Sequence, residues 1–165
     1  PPAVARFLAD PASMEKIQNT RRIDDVDPDR YSVVFLPGGH GTMWDFPGSK
    51  ALAEVVVRAY DRGAIVGAVC HGPSGLVGAR RADGKPLVEG LRVNSFTNAE
   101  EQAVELADVV PFLLESRLRE LGARFESAPN FQAKAVRDGR LVTGQNPASV
   151  ALVAQELRRA LEELR

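Results

Sequence analysis

The run Ile65-Val66-Gly67-Ala68-Val69 passes without a break into Cys70-His71-Gly72-Pro73, and few folds accept such a junction. A continuous apolar run rich in β-branched residues reads as a strand buried on both faces. Small residues stand two before the cysteine (Ala68) and two after it (Gly72). This is the pattern of a nucleophile elbow, where a strand ends in a turn so sharp that only small neighbours fit and one nucleophilic side chain is raised at a helix N-terminus. The positive helix end favours an anion, so Cys70 is expected to be biased toward thiolate. Most intracellular cysteines are small buried hydrophobes, and it is the strand-turn context that points to chemistry here.

A similar junction lies upstream. Tyr31 to Leu36 is a second continuous apolar run, and it stops at Pro37-Gly38-Gly39-His40-Gly41. Between the two runs, Ser49 to Arg62 reads as a helix, with Leu52, Val55, Val56 and Ala59 on one face and Gly63 as its stop. Strand, helix, strand with short loops is a βαβ unit with a right-handed crossover in a parallel sheet. It brings Gly38-Gly39 and Cys70 to one carboxyl-end edge, where α/β sheets place their ligands.

The remaining chain is read more coarsely. Val4 to Leu8 and Met14 to Gln18 are short helical turns, the second capped by Ser13, and Asp24 to Asp29 is an acidic connector. Arg80 to Pro86 is a polar loop and Leu91 to Phe96 another strand. Asn98 caps a helix through Glu101, Val104 and Leu106, and Phe112 to Leu121 is a helix ended by Gly122. Ala133 to Val136 and Leu141 to Thr143 form a hairpin across Asp138-Gly139. The last helix is capped by Asn146 with Pro147 in its first position, and carries an apolar stripe of Val150, Val153, Ala154, Leu157, Leu161 and Leu164.

With 165 residues the chain has the length of one domain, and its formal net charge of −1 offers no footprint for nucleic acid or an anionic membrane. No apolar stretch approaches a membrane span. One cysteine excludes an internal disulfide and fits a reducing compartment, so a cytoplasmic protein is expected.

The two histidines, His40 and His71, each sit in one of the two glycine-rich turns. The backbone N–H of His71 can point at an oxyanion formed at Cys70, and its imidazole is a candidate proton shuttle. His40 is a candidate for the pocket wall, or a loop histidine satisfied by the backbone. Gly38 and Gly39 are candidate oxyanion or substrate-binding positions; the dinucleotide spacing G-x-G-x-x-G is absent. Glu100 and Glu101 suit a positive helix end, and since successive helical residues point about 100° apart, at most one can orient a histidine. Met43 and Trp44 wall either the pocket or an interface. A zinc site from Cys70, His40 and His71 matches no closed-site spacing, so no metal or other cofactor is expected.

Pro37-Gly38-Gly39-His40-Gly41, Ala68-Val69-Cys70-His71-Gly72-Pro73, Phe96-Thr97-Asn98-Ala99-Glu100-Glu101 and Thr143-Gly144-Gln145-Asn146-Pro147-Ala148-Ser149 together resemble the ThiJ/PfpI superfamily, the class I glutamine-amidotransferase-like group. The likeness is to its heat-shock chaperone and glyoxalase III branch. It implies a flavodoxin-like α/β/α sandwich with a mostly parallel sheet, usually a homodimer. It also implies glutathione-independent and metal-free conversion of methylglyoxal to D-lactate, with protein deglycase and holding-chaperone roles described in the branch. By the same resemblance, Cys70 is the nucleophile, His71 the proton shuttle, Glu101 its acidic partner, and the N–H groups of Gly39 and His71 the oxyanion donors.

Two other readings stay open: a stress chaperone or redox sensor that holds unfolded clients, and an amidase or intracellular cysteine peptidase. No distant C-terminal His-x-Glu pair supports glutamine amidotransfer. Members of the superfamily open with a strand-helix-strand unit whose first strand brings a glutamate to the thiol. No segment before Tyr31 resembles that strand, so residues 1–165 are expected to form a single domain lacking this part.

Overall fold

A computed structural model describes residues 2–164; Pro1 and Arg165, the ends of the expected 1–165 span, lie outside the described residues. Four strands form the main sheet: β1 (Val33–Leu36), β2 (Ile65–Val69), β5 (Ala135–Asp138) and β6 (Leu141–Gly144), in the order β1-β2-β6-β5. β1, β2 and β6 run parallel, and β5 returns antiparallel to β6. The sheet is thus mixed, and parallel at its centre. β3 (Arg92–Val93) and β4 (Arg124–Phe125) make a separate parallel pair.

Alternation along β2 defines two faces. Val66 and Ala68 pack into one core with Leu52 and Val56 of α4 (Lys50–Asp61), whereas Ile65 and Val69 pack into the other with Val153 and Ala160 of α7 (Val150–Glu163). All five β2 residues are buried, which is why this strand reads as continuously apolar. Ser49 caps α4 by accepting a hydrogen bond from Leu52 N–H, and Gly63, at φ 93°, ends it. Burying Leu52, Val55 and Val56 contributes about 1.5–3 kcal/mol each and fixes the crossover against the sheet.

Several boundaries differ from the sequence-based expectation. The Leu91–Phe96 strand shrinks to Arg92–Val93, because the next backbone donors leave the ladder: Asn94 N–H bonds the Thr143 hydroxyl and Phe96 N–H bonds the Cys70 carbonyl. Thr97, not Asn98, caps α5 (Asn98–Ala103), and the helix stops before Val104 as Glu105 turns to φ 61°. α6 begins at Leu114 and ends at Glu120, later than the expected Phe112. Asp10, not Ser13, caps α2 (Pro11–Gln18), which with α1 (Pro2–Ala9) forms the opening helical pair. Asn146 does open the last helical segment, through a short 3-10 turn at Pro147–Ser149; of the expected stripe, Val150, Ala154 and Leu164 are exposed. The short helix α3 (Thr42–Asp45) follows the glycine-rich turn. Among the described residues, no helix is long and apolar enough to cross a membrane.

Candidate active site

At the end of β2 the chain enters a left-handed turn at Cys70, φ 61°. A side chain held there costs about 1–3 kcal/mol, which surrounding contacts must offset. The backbone of Cys70 is pinned on both sides: its N–H donates to the Gly144 carbonyl (2.8 Å), and its carbonyl accepts from Phe96 N–H (2.9 Å). The chain then coils into a 3-10 helix, Gly72–Leu76, instead of a regular α-helix. At Gly72 an added Cβ would run into the Leu36 carbonyl oxygen, and at Gly38 one would lie 2.7 Å from the Cys70 Cβ. The two glycine-rich turns therefore touch because neither carries a side chain at the contact.

His71 is fully buried and lies between Cys70 and Glu101. Its Nδ1 is 3.3 Å from the Cys70 Sγ, and its Nε2 is 2.8 Å from Glu101 Oε2. Adjacent residues usually diverge, but the left-handed turn at Cys70 folds the two side chains together. The other oxygen of Glu101, Oε1, is 2.8 Å from His40 Nε2. Glu101 as a carboxylate can only accept hydrogen bonds, so both imidazoles present Nε2–H to it. The neutral His71 then has a free lone pair at Nδ1, aimed at the thiol. The ring of Phe96 packs 4.7 Å from that of His71, holding it in this orientation.

Electrostatics favour the uncharged pair. Burial pushes the Cys70 thiol up to about 11, against the N–H groups of His71 and Gly39, which face the sulphur and pull it down. Burial likewise lowers His71, against the raising effect of Glu101. Against the expected thiolate bias, burial outweighs the two backbone N–H donors, and the carboxylates of Glu100 and Glu101 push in the same direction as burial. The site holds a thiol and a neutral base rather than a thiolate and an imidazolium.

The structure separates the roles of the two glutamates. Glu100 is fully buried but turned from the histidines; its carboxylate accepts from Thr97 and Phe131 N–H and from the side chains of Gln145 and Asn146. Burial pushes this carboxyl up, but those hydrogen bonds outweigh it and hold it below the usual range. Met43 belongs to the core and not to a pocket wall, whereas Trp44 is 54% exposed on α3. A groove of about 830 Å³ runs along α4 past Lys50, Glu54 and Arg58, and none of the site residues lines it.

Three contributors escaped the sequence reading. The Thr42 hydroxyl lies within hydrogen-bond distance of the Gly39 and His71 carbonyls (2.8 and 3.1 Å) and ties the two turns together. Thr97 and Glu100 form a reciprocal capping box that sets the start of α5; the pattern Thr97-x-x-Glu100 was its visible signal. Phe131, at φ 61° and half exposed, packs 6.3 Å from Phe96, and nothing local in the sequence marks it. Among the described residues, His40, His71 and Glu101 form a group whose ligating atoms all lie within 4.8 Å of one another.

A cysteine raised from the central strand of an α/β sheet beside a histidine and a carboxylate defines a class of protein, and residues 11–160 place the chain in it: it belongs to the DJ-1/PfpI family. It is 37% identical over 153 residues to a probable glutathione-independent glyoxalase of Schizosaccharomyces pombe, covering 88% of this chain and 59% of that protein. The crystal structure of glyoxalase III from Candida albicans superposes with a TM-score of 0.84 at 30% identity, over 90% of this chain and 64% of that one. The 24 kDa rapid encystment protein of Francisella tularensis gives a TM-score of 0.90 at 36% identity, over 95% of this chain and 70% of that one. The chain thus spans about three fifths of the length of the two glyoxalase relatives.

Proposed function

We propose that the site performs glutathione-independent glyoxalase chemistry, converting methylglyoxal to D-lactate. The observation that carries this reading is the continuous relay from Cys70 Sγ through His71 to Glu101, at 3.3 and 2.8 Å. The names of the relatives supply the substrate class.

In this scheme the aldehyde carbon of methylglyoxal meets Cys70. The thiol proton passes to His71 Nδ1 as the C–S bond forms, and Glu101 stabilises the imidazolium. The aldehyde oxygen becomes a hemithioacetal oxyanion, held by the Gly39 and His71 N–H groups that face the sulphur. His71 Nδ1 returns the thiol proton to that oxygen, giving the neutral hemithioacetal; the neutral imidazole then takes the proton from the carbon bearing the sulphur and delivers it to the neighbouring carbonyl carbon through an enediol, leaving a lactoyl thioester. Water cleaves that thioester, releasing lactate and restoring the thiol. Coupling proton transfer to attack removes the need for a resting thiolate, in keeping with the raised thiol. His40, 35% exposed on its side chain, gives Glu101 a second donor and connects the buried relay to solvent. Trp44 would wall the mouth of the site.

D-lactate formation without added glutathione is the test. Cys70→Ala should lower it to background, and Glu101→Gln by roughly 10²–10⁴-fold, the usual range for a general acid-base system. Equal lactate from the Cys70→Ala protein would overturn the reading. A holding role is favoured separately by the exposed apolar side chains Phe7, Leu8 and Ile17 on α1 and α2. Suppression of client aggregation that survives Cys70→Ala would support it; amidase or peptidase action would be seen as ammonia or peptide release.

A further inference from the structure

We propose that His40, His71 and Glu101 form a binding site for a divalent transition-metal ion such as Zn²⁺, with Cys70 outside the coordination shell. The three groups come from separate parts of the chain: the first glycine-rich turn, the elbow, and the first turn of α5. Two imidazole nitrogens and a carboxylate are the donor set such ions take, and this set needs no soft sulphur ligand. The ligating atoms already lie within 4.8 Å of one another.

Tetrahedral zinc with bonds of about 2.0–2.2 Å holds its ligand atoms about 3.3–3.6 Å apart. From 4.8 Å, the widest pair would have to draw together by about 1.2 Å. The His40 turn has room for it, since nothing stands within 4 Å of a Cβ built at Gly39 or Gly41, on either side of the histidine. The partial exposure of His40 also gives the ion a path from solvent and leaves a position for water. Cys70 is excluded by geometry, because its Sγ contacts Nδ1, on the opposite side of the His71 ring from Nε2. The expectation of no metal weighed only a ligand set of Cys70, His40 and His71 beside the metal-free chemistry the resemblance implies, and the orientation of the His71 ring excludes that set.

Binding at Nε2 would move the single proton of the neutral His71 ring to Nδ1. His71 Nδ1–H then cannot accept the Cys70 thiol proton. On the proposed glyoxalase reading, the ion is therefore an inhibitor that a chelator reverses, and base and metal site are mutually exclusive states of one histidine.

The test uses untagged, chelator-treated protein titrated with Zn²⁺ in a calorimeter, and with Co²⁺ in a spectrophotometer. One Zn²⁺ per chain is expected, with visible cobalt bands but no near-ultraviolet thiolate-to-cobalt charge transfer. His40→Ala and Glu101→Gln should each weaken Zn²⁺ binding at least about tenfold. Cys70→Ala should leave it unchanged within about twofold. Absence of binding, a thiolate charge-transfer band, unchanged affinity in His40→Ala, or loss of affinity in Cys70→Ala would each overturn the proposal. His40 is partly exposed, so this variant and Cys70→Ala decide the matter even if Glu101→Gln does not fold. Binding is read without turnover, so failure of the glyoxalase reading leaves the result interpretable.

Discussion

At the scale of the residue, the controlling feature is a cysteine that is both strained and desolvated. The backbone holds Cys70 at φ 61° with two hydrogen bonds, and burial keeps its thiol protonated up to about 11. Two measurements follow. Alkylation of the free protein at pH 7 should run about 100-fold slower than that of a thiol with the ordinary value of 9.0, since the thiolate is the reacting species. Stability should also respond to alkaline pH. The unfolded thiol ionises near 9.0 and the folded one near 11, so the folded state holds the extra proton in this window, and stability falls as pH rises through it. The loss is on the order of 2 kcal/mol, and a thermal melting series from pH 8 to 11 should show the wild type falling more steeply than Cys70→Ala. Parallel slopes would mean that the thiol is not held protonated by the fold. The sequence pattern marked Cys70 and its small neighbours, but not its charge state, which depends on desolvation by elements distant along the chain.

At the scale of the element, α5 decides which glutamate faces the histidines. Its start is set by the Thr97–Glu100 capping box, and Glu100 also fastens the 128–132 loop and the turn after β6 through Phe131, Gln145 and Asn146. Glu101, one residue on, is thereby rotated toward His40 and His71. Glu100→Ala should leave several buried donors without partners, at a cost of about 3 kcal/mol or more. Urea denaturation checks the stability, and lactate formation should fall with it, because Glu101 loses its rotational register. A variant of unchanged stability would show that the loop repacks without the carboxylate. Glu100 stabilises folding as a carboxylate, and since its folded value is depressed, that contribution is present above about 4.5 and lost as pH falls below it. From residue types alone, either glutamate was a candidate; the capping-box spacing contained the answer, since it commits the first one to the helix start. The β3 segment was misjudged for a different reason: its apolar pattern reads as a full strand, but Thr143 and Cys70 take its later backbone donors.

At the scale of the whole molecule, the central strands and their two flanking helices were readable because β2 is an unbroken apolar run buried on both faces, while the periphery was not. β1 pairs only with β2 among the described residues, and its other edge presents backbone donors and acceptors beside Phe35, which is 41% exposed. Phe7, Leu8 and Ile17 on α1 and α2 add further exposed apolar surface. Neither feature has a local sequence signature, since an apolar strand or helix reads the same whether or not a neighbour covers it. An unpaired apolar edge with no proline or inward charge is a template for another chain. The 165-residue chain should therefore self-associate at micromolar concentrations in sedimentation velocity. Phe35→Lys places a charge on the α7-side face of that edge strand and should weaken association about tenfold, equivalent to about 1.4 kcal/mol. Leu8→Glu tests the helical patch in the same way. If only Leu8→Glu disperses the chain, the contact runs through the opening helices; if only Phe35→Lys does, it runs through the sheet. A wild-type chain that sediments as a monomer would overturn this reading of the edge and of the helical patch.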